Sequence, residues 1–278
     1  YFGDSIRNNK DRLSLDQGWI DTFEDTSDVV GEGFSLQSTI FGGELYQKNA
    51  ALTGAVNGKK GIISFWMNFN GDGISAGKYI FSSGGAENHV GMDGGHKLAF
   101  GLKNANAAGG MTFYGTKVFT NADGWYHVLA AYDYGGSGTV LSNVDMWITP
   151  LGGTEVNDHN KGTGTYINTN VKYTEPTFAI GGVPGTPSSM FRGSLAQCYW
   201  NYTEYLDISV EANRRKFTTA DGYPINFGST GSVPTGSQPI AYFDGDLSIN
   251  KGTGGNLDVT AATYTNGSPT LSGYLDLP

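Results

Sequence analysis

A single cysteine, Cys198, leaves no intrachain disulfide to draw, so the fold must hold without covalent staples. The thiol lies inside an apolar run and reads as a small core residue rather than a reactive group. Nine prolines and no Gly-X-Y period exclude a Pro-Gly disordered tract and a collagen. No apolar run approaches the roughly 20 residues that span a bilayer, and no signal-peptide core opens the chain, so membrane insertion is not expected. The start at Tyr1 rather than Met leaves processing ahead of it an open alternative. Charge is scarce, with 17 Lys and Arg against 26 Asp and Glu for a net charge of −9. The one basic run, Arg214-Arg215-Lys216, reads as a solvated turn of a short helix. Without a basic stripe to displace counterions from phosphates, no nucleic-acid partner is expected. No repeat of roughly 20–50 residues is visible, which excludes solenoids and propellers.

What the chain has is glycine, 43 residues of it, together with Thr, Ser, Asn and aromatics. That mixture describes many short strands joined by tight turns. Residues 61–69 alternate, with Ile63, Phe65, Met67 and Phe69 on one side and Ile62, Ser64, Trp66 and Asn68 on the other. Residues 78–81 follow as a strand, and 89–92 with 97–102 read as a hairpin around Asp93-Gly94-Gly95. Residues 111–119 read as a strand pair. In 124–133, Tyr126, Val128, Ala130 and Tyr132 are expected to face the core, as are Val144, Met146 and Ile148 in the next strand. Residues 178–180 and 195–200 flank a Pro, Gly, Thr and Ser loop and read as a closing hairpin. Residues 207–217 are the one good helix candidate, with Asp207 or Ser209 as cap and Ile208, Ala212 and Phe217 roughly on one face.

Several of these stretches resemble the laminin-G-like branch of the concanavalin A-like superfamily. The run ending Ile180-Gly181-Gly182, followed by Phe191, Gly193 and Leu195, is similar to that family's closing strands. Gly124-Trp125-Tyr126-His127-Val128, and Val144 through Ile148, match two of its core strands. The resemblance implies an all-β jelly-roll sandwich of two antiparallel sheets over 34–217, with an N-terminal arm at 1–33 and a C-terminal β extension at 218–278. From the end of the sandwich range into the extension run Arg214-Arg215-Lys216-Phe217, the Asp221-Gly222 turn, Pro239 through Phe243, and Asn250-Lys251-Gly252-Thr253-Gly254-Gly255-Asn256-Leu257, in that order. That order resembles the C-terminal part of laminin-G-like structural proteins of tailed bacteriophages. The arm and the extension are each expected to pack either on this sandwich or on a neighbour.

Chemistry is sparse. Hydrolysis of a glycan on this fold needs two carboxylates on one strand face, about 5–5.5 Å apart for retention. Glu44, Glu87, Glu155, Glu175, Glu204 and Glu211 stand alone, and Asp145 has no carboxylate two residues away. No Gly-x-Ser-x-Gly elbow supports an acyl-transfer triad. His89, His96, His127 and His159 lack zinc spacing, and His127 reads as a hydrogen-bonded sheet residue. The resemblance leaves a calcium ion open, with Asp72, Asp93, Asp133 and Asp158 as candidate ligands, but none lies in a dense acidic loop and turn capping is the favoured reading of each. A sugar would want an aromatic among polar neighbours. Asn143, Asp145 and Trp147 share the outer face of their strand and fit, unless the 154–176 loop or the N-terminal arm covers Trp147.

The expected function is therefore a non-enzymatic virion structural protein of a tailed bacteriophage, located on a virion or other extracellular surface. Its expected partners are copies of itself, other virion proteins and host glycans. The alternative is a lectin-like carbohydrate-binding module of a bacterial secreted or surface protein.

Overall fold

The structure is a computed structural model and describes residues 37–41, 45–69, 77–106, 110–135, 143–160, 168–260 and 271–274. The expected arm at 1–33 and Asp72 lie outside the described residues. Two antiparallel sheets of eight strands each face one another as a jelly-roll sandwich. Strands are numbered in chain order. The first sheet runs β10 (Val156–Asn157), β9 (Val144–Pro150), β8 (Tyr126–Asp133), β3 (Lys60–Asn68), β13 (Gly193–Asn201), β1 (Gln37–Phe41) and β16 (Leu271–Tyr274), and β14 (Ala241–Phe243) also pairs with β13. The second runs β11 (His159–Asn160), β7 (Gly110–Gly115), β6 (Leu98–Lys103), β5 (Asn88–Met92), β4 (Tyr79–Ser83), β12 (Phe178–Ile180), β2 (Leu45–Lys48) and β15 (Asp258–Thr260).

The core between the sheets is built by alternation. Ile63, Phe65 and Met67 of β3, Val128, Ala130 and Tyr132 of β8, and Val144, Met146 and Ile148 of β9 all point inward. From the second sheet Val90, Leu98, Phe100, Met111 and Phe113 meet them. Phe65 and Phe81 pack edge to face at 5.2 Å, and Phe81 does the same with Trp200 at 5.5 Å. Cys198 lies in this core, 1% exposed, and burial pushes its thiol pKa up.

Three expectations change. The stretch 178–200 is not a hairpin: β12 pairs with β2 and β4 in one sheet, while β13 pairs with β3, β1 and β14 in the other. The intervening loop crosses from sheet to sheet. Residues 111–119 give one strand, β7, and then a turn rather than a strand pair. The helix shrinks to α1, Glu211–Arg214. Asp207 uses its carboxylate on the Ser209 N–H and hydroxyl, so it closes a turn ahead of the helix; Val210 stands at the cap without a side-chain bond. Ile208 and Phe217 are buried, but Ala212 is exposed and shares no face with them.

The C-terminal segment packs on its own sandwich. Ile208, Phe217 and Phe227 lie against Ile62, Leu129, Ala131, Tyr199 and Tyr242 on the outer face of the first sheet. Further on, β14 and β15 extend the two sheets. Strands β3, β8 and β13 of the first sheet are thus buried on both faces, whereas on the outer side of the second sheet Thr112 and Tyr114 reach water.

Candidate functional site

The covered face holds the aromatic expected to meet a sugar. Asp145 and Trp147 do share the outer side of β9, and the structure joins them: the Trp147 indole N–H donates to Asp145 Oδ2 at 3.1 Å. Asp145 Oδ1 accepts from Asn157 Nδ2 at 2.9 Å. The Arg214 guanidinium lies 3.7 Å from the Trp147 ring centre, a close cation–π contact. Arg214 also donates to the carbonyls of Ile208 and Ser209 and to Glu155 Oε1, and Arg215 holds the same carboxylate. Burial pushes the Glu155 carboxyl up, but hydrogen bonds from Arg214 and Arg215 win and hold it below the usual range. Among the described residues the lid over the Trp147 ring is therefore the Arg214 turn, with Glu155 and Asn157 of the 154–176 loop at its edge. Asn143 stands apart, its backbone carbonyl accepting the Asp133 N–H.

The candidate cation ligands do not converge. Asp93 Oδ1 accepts the N–H groups of Gly95 and Lys97, and Asp133 Oδ1 accepts that of Gly135. Asp158, 1% exposed, takes the Thr116 N–H and hydroxyl and the Lys117 N–H on Oδ1, pinning the crossing between the two sheet edges. These carboxylates cap turns. Among the described residues no group of three His, Cys, Asp or Glu side chains could hold a metal ion. His127 is buried and shares a hydrogen bond of 2.8 Å with the Ser64 hydroxyl; burial lowers its pKa to about 3.

The open face of the second sheet offers a different arrangement. Register aligns Tyr79 with Gly91, Gly91 with Ala99, and Ala99 with Tyr114, one row across β4, β5, β6 and β7. Leu98, Phe100 and Leu102 fill the core from β6, so Ala99 and Gly101 face outward. The row therefore has a tyrosine at each end and glycine and alanine between, both buried beneath their larger neighbours. Three inter-strand steps put the two tyrosine Cα atoms roughly 14 Å apart. Tyr114 is 39% exposed, the one aromatic among the exposed large hydrophobics of the described residues.

The neighbouring row places Ser82, His89, Gly101 and Thr112 side by side. A Cβ on Gly101 would lie 2.1 Å from His89 Cε1, so the missing side chain is what lets the imidazole lie flat on the sheet. Tyr79 stands edge-on to that imidazole at 5.1 Å and leans over Gly91. His89 Nδ1 donates to the Ala86 carbonyl at 2.8 Å, leaving Nε2 as an acceptor without a protein partner. Burial lowers the His89 pKa, partly offset by that hydrogen bond, so the ring is neutral at pH 7. The result is a wall of Tyr79 and His89 facing Tyr114 across a low floor, with Nε2 and the Thr112 hydroxyl as polar handles. Such a surface can stack an apolar ring face and read hydroxyl groups.

Tyr79, His89 and Tyr114 do not stand out in the sequence as a set. The signal was available in the alternation of β6, where small residues fall on the outer side, but glycine and alanine carry no periodic hydrophobicity and read as turns. A separate open cleft of about 410 Å³ lies between two interlocked turns and is lined by Thr154, Asp221 and Tyr223 with Gly152 and Gly153.

No family model matches the chain, and no curated protein matches it in sequence. Its structure is similar to that of a putative carbohydrate binding protein from Bacteroides ovatus, with a TM-score of 0.52 and 15% identity over 85% of this chain and 62% of that one. It is also similar to full-length tailspike protein 2 of the Escherichia coli O157:H7 bacteriophage CAB120, with a TM-score of 0.41 and 11% identity over 76% of this chain and 26% of that one. A third likeness is to domains LG4-5 of the mouse laminin α1 chain, at 0.35 and 12% over 61% of this chain and 44% of that one. The first shows a shared fold and no more. The other two fall below the level at which a shared fold is shown. The chain spans less than two thirds of each of these three proteins.

Proposed function

We propose that this chain is a carbohydrate-binding β-sandwich without enzymatic activity, which holds a glycan on the open face of its second sheet at a virion or extracellular surface. The observation that carries the reading is the row of Tyr79, Gly91, Ala99 and Tyr114. A pyranose lying on the floor stacks its C–H face on Tyr114 and presents hydroxyls to His89 Nε2 and Thr112. The shared fold with a putative carbohydrate binding protein supports the class of ligand.

Binding rather than hydrolysis is supported by the state of the nearest carboxylates. Glu87 pairs with Lys103 at 2.5 Å, and Glu175, buried, pairs with Lys172 at 3.2 Å. Each carboxylate is engaged by a lysine. A cation-independent site is supported by the turn-capping roles of Asp93, Asp133 and Asp158. Trp147, with Asp145, is assigned to docking the Arg214 turn. Location on a tailed-phage virion, with copies of this chain and other virion proteins as further partners, rests on the motif order of the C-terminal extension.

A glycan array followed by titration tests the reading. Saturable binding is expected, undiminished by EDTA and weakened about ten-fold or more in Tyr114→Ala, the loss of one stacking anchor. No saturable ligand, or affinity unchanged in both Tyr114→Ala and Tyr79→Ala, removes the proposal.

A further inference from the structure

Lys78, Lys97 and Lys103 surround the tyrosine row, with the carboxylates of Glu87 and Asp93 beside them. Lys97, Ala99, Gly101 and Lys103 share the outer side of β6 and its approach by alternation, so the floor has a lysine at each end. Lys97 sits diagonal to Tyr114, which pairs with Ala99. Its ammonium has no ion-pair or hydrogen-bond partner among the described residues, whereas Lys103 is engaged by Glu87. At the other end Lys78 adjoins Tyr79 and donates to the Ser188 carbonyl at 2.7 Å. Burial, and then the positive charge of nearby Arg192, lowers the Lys78 pKa. Of the acidic groups near the row, Glu87 is paired with Lys103, while Asp93 accepts two backbone N–H groups of its turn, bonds that orient the carboxylate without cancelling its charge. Although the chain's net charge is −9, a lysine stands near each end of this aromatic row.

We infer that the glycan held here is anionic, a saccharide bearing carboxylate or sulfate groups, and that Lys97 is the residue that selects it. Resting on the glycan-binding reading, this names the ligand class of the same face. The ring stacks on Tyr114 while its anionic substituent reaches the Lys97 ammonium, a charge-assisted contact that a neutral sugar cannot make. The overall negative charge of the chain repels such ligands at long range, so the preference depends on the local cations and is sensitive to salt.

The test titrates the full chain with a sulfated galactan oligosaccharide and its desulfated counterpart, and with a uronic-acid oligosaccharide and its carboxyl-reduced counterpart. At low salt at least one anionic ligand is expected to bind about ten-fold more tightly than its neutral partner; whichever pair shows it identifies the anion. The preference is expected to disappear in Lys97→Gln, to reverse in Lys97→Glu, and to fade in about 1 M salt, where the Debye length is about 3 Å. Neutral binding is expected to survive both Lys97 variants. Equal affinity within both pairs overturns the inference and leaves the glycan-binding reading standing. An anionic preference that persists in Lys97→Gln also overturns it. Absence of binding to all four ligands, with no array ligand found either, sinks both together.

Discussion

Replacing Phe217 by alanine is expected to remove about 3–5 kcal/mol of folding stability, although the residue belongs to a segment that looks like an appendage. Its side chain is 0% exposed on the outer face of the first sheet. The ring meets Tyr199 at 5.7 Å and Phe227 at 5.6 Å, both edge to face, so truncation loses burial and two aromatic contacts at once. Nothing nearby can collapse into the gap easily, because Ile62, Leu129 and Ala131 are fixed by the sheet below. Urea unfolding measures the effect. A loss below about 1 kcal/mol would mean that residues 205–227 dock loosely and that the first sheet can be uncovered. The folded fraction of the variant is expected to keep its glycan affinity, since the binding face lies on the other sheet.

Acid is expected to destabilise the fold in a window set by His127. The unfolded side chain takes up a proton near its ordinary value of about 6.5, whereas the buried ring resists until about pH 3. Below pH 6.5 the unfolded state therefore binds more protons than the folded one, and stability falls as pH drops. Above 6.5 both states are neutral here and the contribution is flat. Across the window the loss is on the order of 4 kcal/mol. Glu155 acts in a lower range: its depressed pKa stabilises the fold above the unfolded carboxyl value, and that stability is lost as pH falls through the folded one. Unfolding followed from pH 7 to pH 4 should show a steep decline in the wild type and a shallower one in His127→Gln. Parallel slopes would show that His127 is not kept neutral by burial.

The fold was largely legible because β3, β8 and β9 alternate cleanly, each with one inward side of large apolar residues. The crossover at 181–192 was not, since β12 and β13 are both apolar and nothing in their composition says which sheet each joins. The interior of β13 hides another feature. Gln197 adopts φ of 46° and its pairing with β3 slips there, so Cys198 and Trp200 turn inward although Leu195 already does. A strict alternation across that bulge would assign the second half of the strand to the wrong face. The helix was overread because Ile208 and Phe217 are both buried, yet they reach the sheet from separate turns on either side of α1.

For the site, the residue types were readable and their surroundings were not. Trp147 and Asp145 share a face as alternation requires, but their contact with Arg214 joins positions far apart in sequence. The open face escaped notice for the opposite reason. Gly91 and Gly101 matter through the close approach they allow to Tyr79 and His89, and only the registers of four strands bring Tyr79, His89 and Tyr114 onto one face.

The most direct measurement is a crystal structure of the chain with its best-binding oligosaccharide. The account predicts a sugar ring over Ala99, stacked on Tyr114, with a hydroxyl within hydrogen-bond distance of His89 Nε2. A ligand seated instead in the cleft beside Asp221 and Tyr223, or on a face exposed by displacement of the Arg214 turn from Trp147, would contradict it.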